Sequence, residues 1–88
     1  MRGTVVRKIP GGKLLRVSVE CDGDVIRRVA INGDFFAHPE EAVESLEKAL
    51  AGARLPDVRR IVERELAAVK LYGVDGNSIV KAVWEAAG

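Results

Sequence analysis

Ile31-Asn32-Gly33-Asp34-Phe35-Phe36 is the stretch whose reading decides the fold. It places both phenylalanines of the chain side by side at a turn. An apolar, strand-like run precedes it. His38-Pro39-Glu40-Glu41 follows it and reads as a helix start, with Pro39 in the first turn and carboxylates beside the positive end of the helix dipole. Before this stretch the chain alternates as strands do; after it the chain repeats as helices do.

Working back, Thr4-Val5-Val6-Arg7-Lys8-Ile9 reads as a strand ended by the turn residues Pro10-Gly11-Gly12. From Lys13 to Cys21, Leu15, Val17, Val19 and Cys21 point one way, and Arg16, Ser18 and Glu20 the other. Asp22-Gly23 reads as a type I′ hairpin turn, whose two central positions need positive φ. The run from Asp24 to Asn32 breaks parity. Val25, Val29 and Ile31 agree, but Arg27 falls among them and Ile26 falls opposite, so a bulge near Arg27-Arg28 is needed for one apolar face. The expectation is a three-stranded antiparallel meander with one apolar face.

Working forward, Ala42, Val43, Leu46, Ala49 and Leu50 make the stripe of a first helix that stops at Gly52. A second starts near Pro56-Asp57 and carries Val58, Ile61, Val62, Leu66 and Val69 to Gly73. A third, capped by Asp75, carries Ile79, Val80, Val83, Trp84 and Ala87. Three amphipathic helices need a surface, and the apolar face of the meander is the one present. The fold class expected is α+β, with a three-stranded antiparallel sheet followed by three helices packed on one face. Residues 1–88 read as one domain, with strands within 4–32 and helices within 38–87.

Composition bounds the function. A chain of 88 residues has a modest core, and a partner would add to it. The net charge of +1 argues against a dedicated nucleic-acid or membrane-surface binder. One cysteine excludes an intrachain disulfide and a multi-cysteine metal site. No apolar run is long enough to span a bilayer and no signal peptide is visible, so a cytoplasmic location is expected.

Candidate chemistry is sparse. His38 stands alone beside Pro39, and Cys21 alternates with apolar strand residues as a small core side chain does. Glu40, Glu41, Glu44, Glu47, Glu63 and Glu65 take solvating positions on helices. Gly11-Gly12-Lys13 lacks the first glycine and the Ser/Thr of a phosphate-binding loop. It reads either as a weak anion site, with exposed backbone N–H groups and a point charge, or as a turn before a strand. Asp34 either fixes its turn or joins a contact surface. Phe35 and Phe36, adjacent in an extended segment, cannot both enter one core; one is expected inside and the other exposed. Equal steps back and forward from Asp22-Gly23 lead to Lys13 and Asn32, which predicts that Lys13 meets Asn32-Gly33, and through them Asp34, at one end of the sheet.

These residues carry a resemblance. The opening Lys8-x-x-Gly11-Gly12-Lys13-Leu14, Asp22-Gly23 between strands, Ile31-x-Gly33-Asp34-Phe35-Phe36 and an acidic helix ending in Leu50-x-Gly52 resemble the C-terminal accessory domain of lipoate–protein ligases of the A type. The match runs from Arg7 to Gly52; the tail from Leu55 fits more loosely. The resemblance implies a small α+β domain of the SufE/IscU type. In such enzymes a large domain makes lipoyl-adenylate from lipoate and ATP with Mg, then passes the lipoyl group to a carrier-domain lysine. Nothing in this chain resembles that large domain, so no catalytic residue and no metal ligand is carried over. The resemblance implies a non-catalytic accessory subunit that partners a large catalytic subunit and binds no cofactor alone. Its partner- or adenylate-proximal motif would be Gly11, Gly12, Lys13, Gly33, Asp34, Phe35 and Phe36. Two other classes stand beside it: a small nucleic-acid-binding module using Arg27-Arg28 and Arg59-Arg60, and a sulfur or iron–sulfur scaffold suggested by fold analogy alone.

Overall fold

The computed structural model of the chain describes residues 1–11 and 13–88. Strands β1 (Arg2–Ile9), β2 (Lys13–Asp22) and β3 (Val25–Gly33) form an antiparallel meander in the order β1-β2-β3. The strand β4 (Phe36–His38) leads to helix α1 (Ala42–Leu50). A 3₁₀ turn (Leu55–Asp57), helix α2 (Val58–Leu66), strand β5 (Lys70–Tyr72) and helix α3 (Gly76–Ala87) complete the chain.

The apolar alternation does what the sequence requires of it. Leu15 and Val17 are fully buried, Val19 and Cys21 nearly so, and Ile26, Val29 and Ile31 join them from β3. The bulge expected near Arg27-Arg28 is present. Cys21 pairs with Ile26 but Glu20 pairs with Arg28, which leaves Arg27 as the extra residue. α1 packs on β3 and α3 on β1 and β2, with α2 against both helices; their core contacts are Leu46 and Leu50, Val58 and Val62, and Ile79, Val80 and Val83, all at most 1% exposed. The α+β architecture is therefore as expected. The free edge of β3 is closed from the helical side. Ile26 N–H donates to the Ala53 carbonyl (2.8 Å), Gly52 N–H to the Ile26 carbonyl (2.7 Å), and Ile31 N–H to Glu47 Oε2 (2.6 Å). Arg54 ties the hairpin to this edge with two N–H bonds to Asp24 Oδ2 (3.0 and 2.7 Å). That side-chain bond, then the carboxylate charge, raises the guanidinium pKa.

The structure corrects several expectations. The hairpin loop is Gly23-Asp24, not Asp22-Gly23, because Asp22 pairs with Val25. Only Gly23 takes positive φ (64°), so the turn is not type I′. β1 begins at Arg2, before the expected start at Thr4. α1 begins at Ala42, because residues 36–38 are drawn into a strand rather than a helix start. α2 ends at Leu66; Val69 lies outside it, and Lys70-Leu71-Tyr72 pairs with His38-Ala37-Phe36 in a small second sheet. Trp84 is not a core residue. It is 38% exposed, donates Nε1–H to the Leu55 carbonyl (2.9 Å) and lies under Arg59, whose guanidinium is 5.5 Å from the ring centre.

Gly33 is a position where this fold has no room for a side chain. A Cβ there would strike the Leu14 carbonyl oxygen and come within 3.1 Å of Leu15 Cα, both main chain. Gly52 also has positive φ (86°) but open space around it. Gly52→Ala should cost only the backbone term, about 1 kcal/mol. Gly33→Ala adds a main-chain clash and should cost clearly more than about 1 kcal/mol. Denaturant unfolding of the two variants checks this; equal losses would contradict the close approach.

Candidate functional site

The register of β2 on β3 brings the motif together. Leu15 faces Gly33, and Asp34 N–H extends the ladder by donating to the Leu14 carbonyl (2.9 Å). Lys13 therefore falls beside Phe35, and not beside Asn32-Gly33 as counting from Asp22-Gly23 predicts. The shifted turn and the Arg27 bulge each slide the strands further. The second half of the site comes from Gly73, just past β5. A Cβ on Gly73 would lie 3.1 Å from the Asp34 carbonyl oxygen, 3.4 Å from Lys13 Cγ and 3.4 Å from Phe35 Cβ. Lys13, Asp34 and Phe35 thus surround one backbone position, which has positive φ (93°) and no side chain of its own.

The two phenylalanines separate as the period of an extended chain requires. Phe35 is partly buried and packs against the core. Phe36 is 73% exposed. Directly opposite it on β5 stands Tyr72, 56% exposed, so two aromatic rings share one open face of the ribbon. His38 and Lys70, both exposed, are the next outward pair. Lys13 and Asp34 are both exposed, and none of the ion pairs among the described residues joins them. Around the corner a shallow groove of about 360 Å³ runs between Val6, Leu14, Arg16, Asn32, Gly33 and Asp34.

Of the residues singled out from the sequence, Lys13, Gly33, Asp34, Phe35 and Phe36 are brought together. Gly11 lies exposed in the β1–β2 turn with positive φ (98°), and Gly12 lies outside the described residues. The sequence reading missed Tyr72 and Gly73. Their signal was the alternation Lys70-Leu71-Tyr72 closed by a glycine, hidden because Val69 also continues a helical period.

Lys13 opens a strand opposite Ile9, so no helix N-terminus of the kind that supports a bound phosphate follows Gly11. Cys21 is buried in the core. Among the described residues no group of three or more His, Cys, Asp or Glu could hold a metal ion, and no helix is long and apolar enough to cross a membrane.

No family model matches the chain. Over 49 residues it is 37% identical to lipoate-protein ligase A subunit 2 of Thermoplasma acidophilum, which is 56% of this chain and 52% of that protein. The sequence match thus spans about half the length of that relative. The fold likeness is wider. A chain in the solved structure of an archaeal lipoylation system superposes with a TM-score of 0.80 at 27% identity, over 93% of this chain and 96% of that one. That system is a bi-partite lipoate protein ligase and its E2 lipoyl domain from Thermoplasma acidophilum. The chain is similar to the second subunit of a two-part lipoate–protein ligase. The resemblance read from the sequence holds in both sequence and fold.

The site makes a prediction about the two rings. Phe35→Ala should lower stability by about 2–3 kcal/mol, since it empties a partly buried position against the core. Phe36→Ala should stay within about 0.5 kcal/mol. Thermal or denaturant unfolding separates them, and a reversed order would contradict the assignment of faces.

Proposed function

We propose that this chain is the non-catalytic small subunit of a two-chain lipoate–protein ligase of the cytoplasm. It forms a heterodimer with a separate large catalytic subunit and is required for ATP-dependent activation of lipoate to lipoyl-adenylate, before transfer to a carrier-domain lysine. ATP, Mg and lipoate belong to the large subunit in this reading, and this chain binds none of them alone. The observation that carries the proposal is the likeness to the bipartite ligase across nearly the whole fold. The local geometry supports it, because Phe36, Tyr72, Lys13 and Asp34 are exposed and suited to contact.

The mechanism follows from that division. A second subunit seated beside an adenylate pocket excludes water and orders the loops around it, and so favours the activation step without touching the reacting atoms. Phe36 and Tyr72 would anchor the contact as a rigid aromatic pair, with Lys13 and Asp34 setting its register. The buried position of Cys21 speaks against a sulfur or cluster scaffold, which needs a reachable thiolate.

Reconstitution tests the proposal. The large subunit with this chain should form lipoyl-adenylate, and this chain alone should form none. Phe36→Ala with Tyr72→Ala should weaken the heterodimer by about tenfold or more, equivalent to about 1.4 kcal/mol. Lys13→Ala should leave the fold intact while lowering adenylate formation by the mixture. Adenylate made by this chain alone, or a large subunit indifferent to its presence, would overturn the proposal.

A further inference from the structure

The outer face of the sheet carries a charge pattern that the motif end does not explain. Pairing sets Arg2 opposite Glu20, Val6 opposite Arg16 and Lys8 opposite Leu14; across β2 and β3, Arg16 faces Asn32 and Glu20 faces Arg28. These positions alternate with the buried Leu15, Val17 and Val19, so they point away from the helices. The face therefore holds Arg2, Lys8, Arg16, Arg27 and Arg28 against Glu20 and Asp22, in a chain whose total charge is only +1. Positive charge is concentrated here, and the remainder of the molecule is correspondingly acidic.

Ion pairing sharpens the pattern. Every other arginine, from Arg2 on Glu20 to Arg64 on Glu65, meets a carboxylate. Arg16 and Arg28 alone do not, among the described residues, and both are exposed on this face. Their spacing says what they can bind. Along β2 the residues facing them, Arg16 itself and Glu20, are separated by about 13 Å at about 3.3 Å per residue, with a further ~4.8 Å across to β3. That spacing lets each meet a separate acidic group of an extended surface.

Two features choose a protein over a nucleic acid as that surface. Val6 and Leu14 are 55% and 42% exposed beside Arg16 and Lys8, an apolar patch flanked by basic side chains at the motif end of the face. No aromatic side chain lies on this face to stack on a base. We infer that the outer sheet face docks an acidic surface of the large catalytic subunit. Val6 and Leu14 extend the contact as an apolar patch next to the motif end, and Arg16 and Arg28 pair with the partner's carboxylates. The inference rests on the small-subunit reading above. The groove from Val6 and Leu14 to Gly33 and Asp34 makes this face continuous with the motif end. Three strands with β1 eight residues long offer roughly 400 Å², about half of the ~800 Å² per partner typical of a stable interface, so both surfaces are needed together.

Association kinetics with the large subunit test this. Arg16→Glu with Arg28→Glu should slow association by about tenfold or more at low salt, and high salt should shrink the difference. Arg16→Gln with Arg28→Gln should fall between it and the wild type, and carries the test if thermal unfolding shows the Glu variant misfolded. Arg64→Glu, on α2 away from this face, should behave as wild type. Unchanged rates in both double variants, with normal wild-type binding, would overturn this inference and leave the small-subunit reading standing. Absence of wild-type binding would overturn both. Loss of affinity for single-stranded RNA with no change toward the large subunit would assign the face to nucleic acid and overturn it as well.

Discussion

In a hairpin each added residue slides one strand past the other, and the extra residue at Arg27 does this between β2 and β3. It keeps Ile26 on the same face as Val29 and Ile31, so the core stays continuous through the bulge. It also sets Gly33 against Leu15, where only a glycine fits beneath the Leu14 carbonyl. Past that point the chain leaves the sheet, buries one side of Phe35 and runs as β4 to meet β5. The convergence of Lys13, Asp34 and Phe35 on Gly73 follows from that register. A hairpin without the bulge would present a different residue to Gly33 and turn the ribbon elsewhere.

The parts of the fold legible in the sequence are those whose signal is local and repeated. Leu15, Val17, Val19 and Cys21 announce a half-buried strand by period alone, and the broken parity at Arg27 announces its own bulge. The stripes of α1 and α3 are legible for the same reason, as is Asp75, whose Oδ1 accepts from Ser78 N–H at 2.7 Å. The β4–β5 ribbon was not legible. Each strand has three residues, and each finds its partner only across the fold, so neither has a periodic signal of its own. Val69 fitted a helical period but lies beyond the helix. Trp84 fitted an apolar stripe, but its indole N–H needs an acceptor and finds one at Leu55, at the surface.

The same limit governs the site. Gly33-Asp34-Phe35-Phe36 was visible because its residues are contiguous. Tyr72 was invisible because its meaning lies in standing opposite Phe36. The arginines illustrate it further. From sequence Arg27-Arg28 and Arg59-Arg60 look like equivalent basic pairs. In the fold Arg27 meets Asp22, Arg59 meets Glu63 and Arg60 meets Asp57, while Arg28 faces outward without a carboxylate, as Arg16 does. A sequence gives the charges, but only the fold tells which are already neutralised.

The surface carrying Phe36 and Tyr72 is the centre of the account, and photo-crosslinking tests it most directly. A photoreactive residue placed at position 36 or 72 in the assembled two-chain ligase should capture the large subunit, whereas one at position 63, on the outer side of α2, should not. Capture from position 63 with none from 36 or 72 would contradict the account.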